Sequence, residues 1–310
     1  MKSEHMDPVR PPRRSVRMLA PAKVNLHLEV LQRREDGYHD IETILQAVGL
    51  FDSLKVELCE PWRGRPPRVE LSVTPPGAAP DDATNLAWQA VELFCRRTGL
   101  SGHIRIDLDK VIPCEAGLGG GSSDAAAVLM ACDRLLETGL SAPELEAMAA
   151  DLGSDVPFFI RGGTQLGRGR GTDLTPLAPI RGGRFVIIKP TLSLRTASVY
   201  EHVNLGLTSR SPKVNIRNTE ALIARFPKGS WFGLNRLEDV VLPQHPALHR
   251  LLLELRSQAS VAMLAGSGAA VFAVFDDDQG LAGLGEIIDG NALTVHIVDP
   301  HPRGAVFTED

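Results

Sequence analysis

The chain has 310 residues, 43% of them hydrophobic and 23% charged, with a formal net charge of -5. That length holds one large domain or two medium ones, each with its own core. The acidic balance argues against nucleic acid as the main partner, because proteins that grip phosphate backbones carry a basic surplus. No apolar run approaches the roughly 20 residues of a membrane span, so no membrane partner is expected. Residues 1–17 lack the apolar stretch of a secretory signal and, with Arg10, Arg13, Arg14 and Arg17 among prolines, read as a disordered tail. Cys59, Cys95, Cys114 and Cys132 are scattered without a CxxC pair, which implies reduced thiols and a cytoplasmic location.

In chain order, "AKVNLHLEV" (22–30) alternates: Val24, Leu26, Leu28 and Val30 form a buried face, and Lys23, Asn25, His27 and Glu29 the other. "DSLKVEL" (52–58), "RVELSVT" (68–74) and "HIRIDLDK" (103–110) also read as strands. Between the last two, "NLAWQAVELFCRRTGL" predicts an amphipathic helix stopped at Gly99. Val128, Leu129, Cys132, Leu135 and Leu136 fall at helical spacing, and "SAPELEAMAADLG" offers a capping box, Ser141 with Glu144, before a stop at Gly153. "FVIIKP" (185–190) predicts a short buried strand. "VAMLAGSGAAVFAVF" (261–275) predicts strand, glycine turn, strand, and "LTVHIVDP" (293–300) a closing strand. Without a regular βαβ rhythm the class is α+β. A boundary falls in the Gly/Pro/Arg-rich stretch 167–184, dividing the chain into 18–175 and 176–310.

The densest signal is "PCEAGLGGGSSDAAA" (113–127), a glycine loop running into a helix. Four glycines at one place expose backbone amides to a ligand, and the helix N-terminus adds free N–H groups and partial positive charge, so the segment suits phosphate. Ser122 and Ser123 sit where a hydroxyl can cap the helix, bond a phosphate oxygen or touch a magnesium ion. A Walker A loop is excluded because no lysine follows Gly121, and GxGxxG fails at Ser122.

These residues resemble the phosphate-binding motif of the GHMP kinases (galactokinase, homoserine kinase, mevalonate kinase and phosphomevalonate kinase among them). The resemblance extends to "APAKVNLHL" (20–28), "DGYHDIET" (36–43), "LGSDVPFF" (152–159), "NRLED" (235–239) and "LAGSGAAVF" (264–272). It implies a two-domain fold, with an N-terminal ribosomal-protein-S5-like domain that binds ATP and a C-terminal α/β sandwich with an antiparallel sheet. The substrate site lies in the cleft between them. "AKVNL" followed by "DGYH" resembles the branch of the family whose substrate is a methylerythritol carried on a cytidine diphosphate. The implied activity is phosphorylation of its 2-hydroxyl, with ATP and Mg2+, in non-mevalonate isoprenoid precursor synthesis.

The resemblance also assigns roles. Asp155, which from sequence alone reads as a cap of the next helical turn, becomes the catalytic base, and Lys23 its neighbour that polarises the attacked hydroxyl. Pro113, Gly117, Leu118, Gly119, Gly120, Gly121, Ser122, Ser123 and Asp124 line the ATP phosphates, Ser122 is the candidate magnesium ligand, and Asn85 and Leu86 edge the adenine site. Asn25, Tyr38, His39, Thr196, Tyr200, Gly266 and Gly268 are the candidate substrate contacts, Tyr38 with His39 holding the cytosine and Tyr200 closing its far side. Relatives differ at Glu115, Ala116, Asp124, Thr172 and Ala265, which leaves the base, the lysine and the cradle in place.

Weaker signals point to structure. His245 and His249 have helical zinc spacing, but Pro246 between them and the lack of a third ligand indicate a surface helix start. "GRGRG" (167–171) reads as a turn rather than an RNA-binding segment. The competing functions are another small-molecule GHMP kinase, an RNA-binding protein of related fold and an inactive nucleotide sensor. Assembly as a monomer or a homodimer is left open.

Overall fold

The computed structural model describes residues 14–203, 216–227, 233–278, 280–285 and 293–308. Arg10 and Arg13 of the expected tail lie outside these residues. Strand β1 (Arg14–Arg33) begins inside the stretch read as tail. The reason is pairing: Arg14 to Arg17 lie opposite Leu58 to Lys55 of β2 (His39–Arg63), and Val16 packs on the core. Strand β3 (Arg68–Thr74) follows, then helix α1 (Leu86–Thr98) and β4 (Leu100–Asp109). Helix α1 is bounded as its sequence dictates. The Asn85 side chain accepts from Ala87 N–H, and Gly99 adopts φ 69°. Strand β3 lies parallel to β4, so this one stretch is a βαβ unit inside an otherwise antiparallel sheet.

Helix α2 (Gly120–Leu136) leaves the glycine loop, followed by α3 (Ala142–Ala149) and α4 (Phe158–Arg161). The Glu144 carboxylate accepts from the Ser141 N–H at 2.8 Å, as the capping-box spacing requires. Helix α3 stops at Ala149, ahead of the predicted stop at Gly153. Strands β5 (Thr164–Gly169) and β6 (Asp173–Pro176) form a hairpin whose turn holds Arg170. The first sheet therefore runs β11-β1-β2-β4-β3 with β5 and β6 attached through β2, where β11 is Val306–Thr308.

The second sheet runs β10-β7-β9-β8 and is wholly antiparallel, built from β7 (Arg184–Pro190), β8 (Val261–Leu264), β9 (Val271–Phe275) and β10 (Leu293–Val298). Helices α5 (Thr196–Glu201), α6 (Ile216–Ile223), α7 (Glu238–Gln244) and α8 (Pro246–Gln258) belong to this half. Helix α8 starts at Pro246, so His245 and His249 mark a helix start. Among the described residues no cluster of three or more metal-ligating side chains occurs. Strand β10 does not close the chain: β11 returns to the first sheet and pairs with β1. Among the described residues no helix is long and apolar enough to cross a membrane.

Among the described residues, three cores hold these layers. One lies between the first sheet and α1–α4, and buries Phe94, Phe158 and Phe159 completely, each worth about 1.5–3 kcal/mol relative to exposure. A second lies between the sheets, where Ala22, Val24 and Leu26 meet Phe185 and Phe272. The third packs the second sheet on α7 and α8. Met18 and Ala20 face the helices, whereas Ala22 and Val24 face the other sheet. The change falls at the register shift between Pro21 and Ala22, an irregularity of the kind that re-aims side chains. Beyond it Lys23 and Asn25 share a face beside the glycine loop, and both are buried.

Candidate active site

A cleft of about 1850 Å³ runs between the glycine loop, β1, the β1–β2 turn and the turn that joins β8 to β9. The loop is tied to β1 by the Lys23 N–H, which donates to the Leu118 carbonyl at 2.9 Å. Gly119 caps α2 at φ 73°, and the Ser123 N–H makes the helix's first bond, to the Gly119 carbonyl. The amides of Gly120, Gly121 and Ser122 therefore stand at the open end of a 17-residue helix. Gly121 has open space around it, with Leu86 Cδ1 at 4.0 Å the nearest atom to a Cβ placed there. Ser122 lines the cleft. Ser123 is fully buried and does not, because it lies on the core face of α2.

At the floor, Lys23 Nζ lies 3.3 Å from Asp155 Oδ2, the lysine 5% and the aspartate 40% exposed. Asp155 sits in the turn before α4 and reaches Lys23 from there. Lys23 Nζ also donates to Asn25 Oδ1 (2.9 Å). Asn25 Nδ2 donates to Thr43 Oγ1 (2.8 Å), whose hydroxyl donates to the His27 carbonyl (2.7 Å). This chain fixes the lysine by using up each donor in turn. A buried cation beside a half-open carboxylate, below a row of amides, suits proton removal from an alcohol next to a bound anion.

Behind the loop is a feature that the sequence reading missed. Lys110 Nζ bonds both Asp52 and Asp124, the latter at 2.8 Å, with all three side chains at most 2% exposed. Asp52 Oδ1 accepts from the Val111 and Ile112 N–H groups. Burial pushes the Asp124 carboxyl up to about 7, with Lys110 opposing the shift and Asp52 adding to it. Burial works to lower the Lys110 ammonium, but the two carboxylates outweigh it and raise it. A Cβ on Gly120 would lie 3.1 Å from Lys110 Nζ, so this cluster supports the loop from beneath. Asp124, expected among the phosphate contacts, turns its side chain to Lys110 instead.

The far end is aromatic. Asp36 and Gly37 (φ 85°) make the β1–β2 turn, and Asp36 Oδ1 accepts from the Tyr38 N–H. Tyr38 is 49% exposed, with the Arg170 guanidinium 3.6 Å from its ring centroid. The His39 and Tyr200 rings lie 5.5 Å apart. Burial, and then Arg33, lower the His39 imidazole, which favours its neutral form. Burial, and then the Asp155 charge, raise the Tyr200 phenol. Nothing in the sequence pattern pairs Arg170 with Tyr38, since they lie on different hairpins.

Of the expected residues, Lys23, Asn25, Tyr38, His39, Asn85, Leu86, Pro113, Gly117, Leu118, Gly119, Gly120, Gly121, Ser122, Asp124, Asp155, Thr196, Tyr200 and Gly266 all border the cleft. Ser123 and Gly268 do not. Gly268 stands behind Gly266, where a Cβ would strike Leu264. Thr196 spends its hydroxyl on Ser267 Oγ, 2.8 Å away. Glu115 is exposed at the loop entrance, where it too borders the cleft, at φ 50°.

Residues 85–163 match the family described as GHMP kinases N terminal domain. The chain is 36% identical to the 4-diphosphocytidyl-2-C-methyl-D-erythritol kinase of Geobacter sulfurreducens, covering 84% of this chain and 90% of that protein. It superposes on a crystal structure of 4-(cytidine 5'-diphospho)-2C-methyl-D-erythritol kinase with a TM-score of 0.72 and 32% identity, covering 93% of this chain and 99% of the other. Homoserine kinase from Cytophaga hutchinsonii superposes with the same TM-score of 0.72 at 17% identity, over 99% and 100% of the two chains, which shows the shared fold. Both the sequence likeness over most of the chain and the two-sheet architecture lead to one assignment: the chain belongs to the 4-diphosphocytidyl-2-C-methyl-D-erythritol kinase family of the GHMP kinases.

Proposed function

We propose that the chain transfers the γ-phosphoryl group of ATP to the 2-hydroxyl of 4-diphosphocytidyl-2-C-methyl-D-erythritol. The observation that carries the reading is the Lys23–Asp155 pair, held at 3.3 Å between the amide row of the glycine loop and the aromatic end of the cleft. Asp155 accepts the hydroxyl proton as the oxygen attacks the γ-phosphorus. The P–O bond to the β-phosphate breaks and ADP leaves. Lys23, 3.3 Å from the Asp155 carboxylate, draws the hydroxyl oxygen toward the phosphate. The loop amides of Gly120, Gly121 and Ser122 hold the phosphates, with Asn85 and Leu86 at the adenine edge.

The donor set fits magnesium in the manner usual for phosphate substrates, where the nucleotide supplies most of the oxygens and the protein one or two. The Ser122 hydroxyl would hold the ion, and when bound it neutralises charge on the β- and γ-phosphates. At the other end, Tyr38 stacks on the cytosine, neutral His39 hydrogen-bonds its edge and Tyr200 closes the slot. The turn at Gly266 lies beside the diphosphate and the methylerythritol.

The test is ADP release from ATP and magnesium with 4-diphosphocytidyl-2-C-methyl-D-erythritol, against mevalonate 5-phosphate and homoserine. Turnover is expected with the cytidylated alcohol alone. Turnover with either rival would retain the kinase and remove the cytidine reading. ATP binding without turnover of any alcohol would make the protein a nucleotide sensor.

A further inference from the structure

The segment "NRLED" (235–239) belongs to the likeness with the family but touches none of the reacting groups. Its side chains nevertheless converge on the site from behind. Asn235 is 4% exposed. Its Nδ2 donates to two carbonyls, Leu264 at 2.9 Å and Gly266 at 2.7 Å, and its Oδ1 accepts from the Leu237 N–H at 3.0 Å. Two acceptors on one side and one donor on the other fix the amide in a single orientation. Aspartate cannot reproduce it, because an ionised carboxylate donates nothing. The flanking residues fasten the same clip to β1. Leu28 N–H donates to the Leu234 carbonyl, Arg236 N–H donates to the Leu28 carbonyl, and the Arg236 guanidinium takes both oxygens of the buried Glu29 at 2.8 and 2.9 Å. Glu238 accepts from the Leu264 N–H at 2.9 Å and from Arg256 at 2.7 Å.

What this clip holds in place is Gly266. A Cβ there would stand 3.1 Å from the Gly117 carbonyl oxygen, 3.2 Å from Lys23 Nζ and 3.4 Å from Asn25 Oδ1. The Gly266 backbone thus backs the lysine, its asparagine partner and the phosphate loop at once. With its carbonyl drawn to Asn235, the Gly266–Ser267 peptide has one orientation, and Ser267 carries that constraint on to Thr196 and α5 through its hydroxyl.

We propose that Asn235 is a positioning residue for phosphoryl transfer, acting through Gly266 to hold Lys23 and Asn25 in register with the glycine loop. The inference rests on the kinase reading above for its reaction, but its geometry is independent of which alcohol is phosphorylated.

The experiment uses the full chain with Asn235→Ala, which removes all three bonds, and Asn235→Asp, which keeps the shape and the acceptor. Two quantities are read: deuterium uptake across 261–275 without ligand, and kcat per folded molecule at a temperature where melting curves show the variant fully folded. Faster exchange at 264–268 is expected, with kcat lowered about 10- to 100-fold, the scale of an ångström-sized misplacement. A purely structural asparagine would lower the melting temperature and leave kcat per folded molecule within about twofold of the parent, and that result would overturn the proposal. Unchanged exchange in either folded variant would overturn it as well, whatever the substrate. If the parent protein phosphorylates a different alcohol, the substrate reading fails while the kcat comparison is made with that alcohol.

Discussion

The Ala265 carbonyl oxygen occupies the place that a side chain on Gly117 would need: a Cβ there would lie 1.9 Å from it. The two residues come from different halves of the chain, and their backbones interlock further through the Ala270 N–H, which donates to the Ala116 carbonyl. Gly117 is therefore glycine for contact as well as for its φ of 77°.

Gly117→Ala is expected to destabilise the protein by about 3 kcal/mol, combining a left-handed residue with a backbone clash, and to raise the KM for ATP. Gly121→Ala, four positions further along the same loop, meets nothing closer than 4.0 Å. It should leave the melting temperature in place and raise only the KM for ATP, because its methyl enters the phosphate space. Equal melting curves for the two variants would refute the interlock.

Asp155→Asn removes the proposed proton acceptor and keeps the volume. A positioned base contributes about 10²–10⁴ in rate, so kcat should fall within that range. Asp155 is 40% exposed but Lys23 only 5%, so the variant leaves a buried ammonium without its charge partner. The melting temperature should fall, and kcat is therefore compared per folded molecule. Full turnover in Asp155→Asn would remove the base assignment.

Arg170 over Tyr38 predicts coupling between two hairpins. Tyr38→Ala should raise the KM for the cytidylated substrate about tenfold or more, the scale of one base–aromatic stack. Arg170→Ala should raise it about two- to fivefold by freeing the Tyr38 ring. In the Tyr38→Ala background, Arg170→Ala should add nothing, which is the signature of a single path. A lower KM in Arg170→Ala would instead mean that the guanidinium competes with the base for the ring.

The Asp52–Lys110–Asp124 cluster predicts a pH dependence. Asp124 has its folded value raised to about 7, so its contribution to stability is full below its unfolded value and is lost as pH rises through 7. Lys110 and Asp52 are the charged groups facing it. Asp124→Asn copies the protonated state. The difference in melting temperature, variant minus parent, should grow in the variant's favour between about pH 5 and about pH 8. A constant difference would show that Asp124 stays ionised across that interval.

Much of this was legible before any coordinates. The end of α1 follows from the Gly99 stop, a local backbone requirement, whereas the cap at Asn85, read from the sequence only as an edge of the adenine site, came from the structure. The glycine loop is written in four residues whose common use is exposed backbone. The strand β3 falls on its predicted residues because alternation over 68–74 is a strictly local pattern. The expected tail failed at Arg14 because strand ends are decided by partners, here β2 and β11, that lie about 40 and 290 residues away along the chain.

By itself the sequence determined many of the elements and the residue types at the site: a glycine loop at a helix start, a lysine and an asparagine on one strand face, an aspartate at a helix entry, an aromatic turn. It could do so because caps, turns and periodicity act over a few residues. Only the tertiary structure decided which groups meet. The register shift at Pro21/Ala22 changes which core the strand faces, Lys110 gathers Asp52 and Asp124 from separate elements, Arg170 reaches Tyr38 across two hairpins, and Asn235 grips Gly266 from the opposite side of the turn. Each is a contact between residues distant in sequence, set by packing and by the need of buried polar groups for partners, and no window of the chain records it.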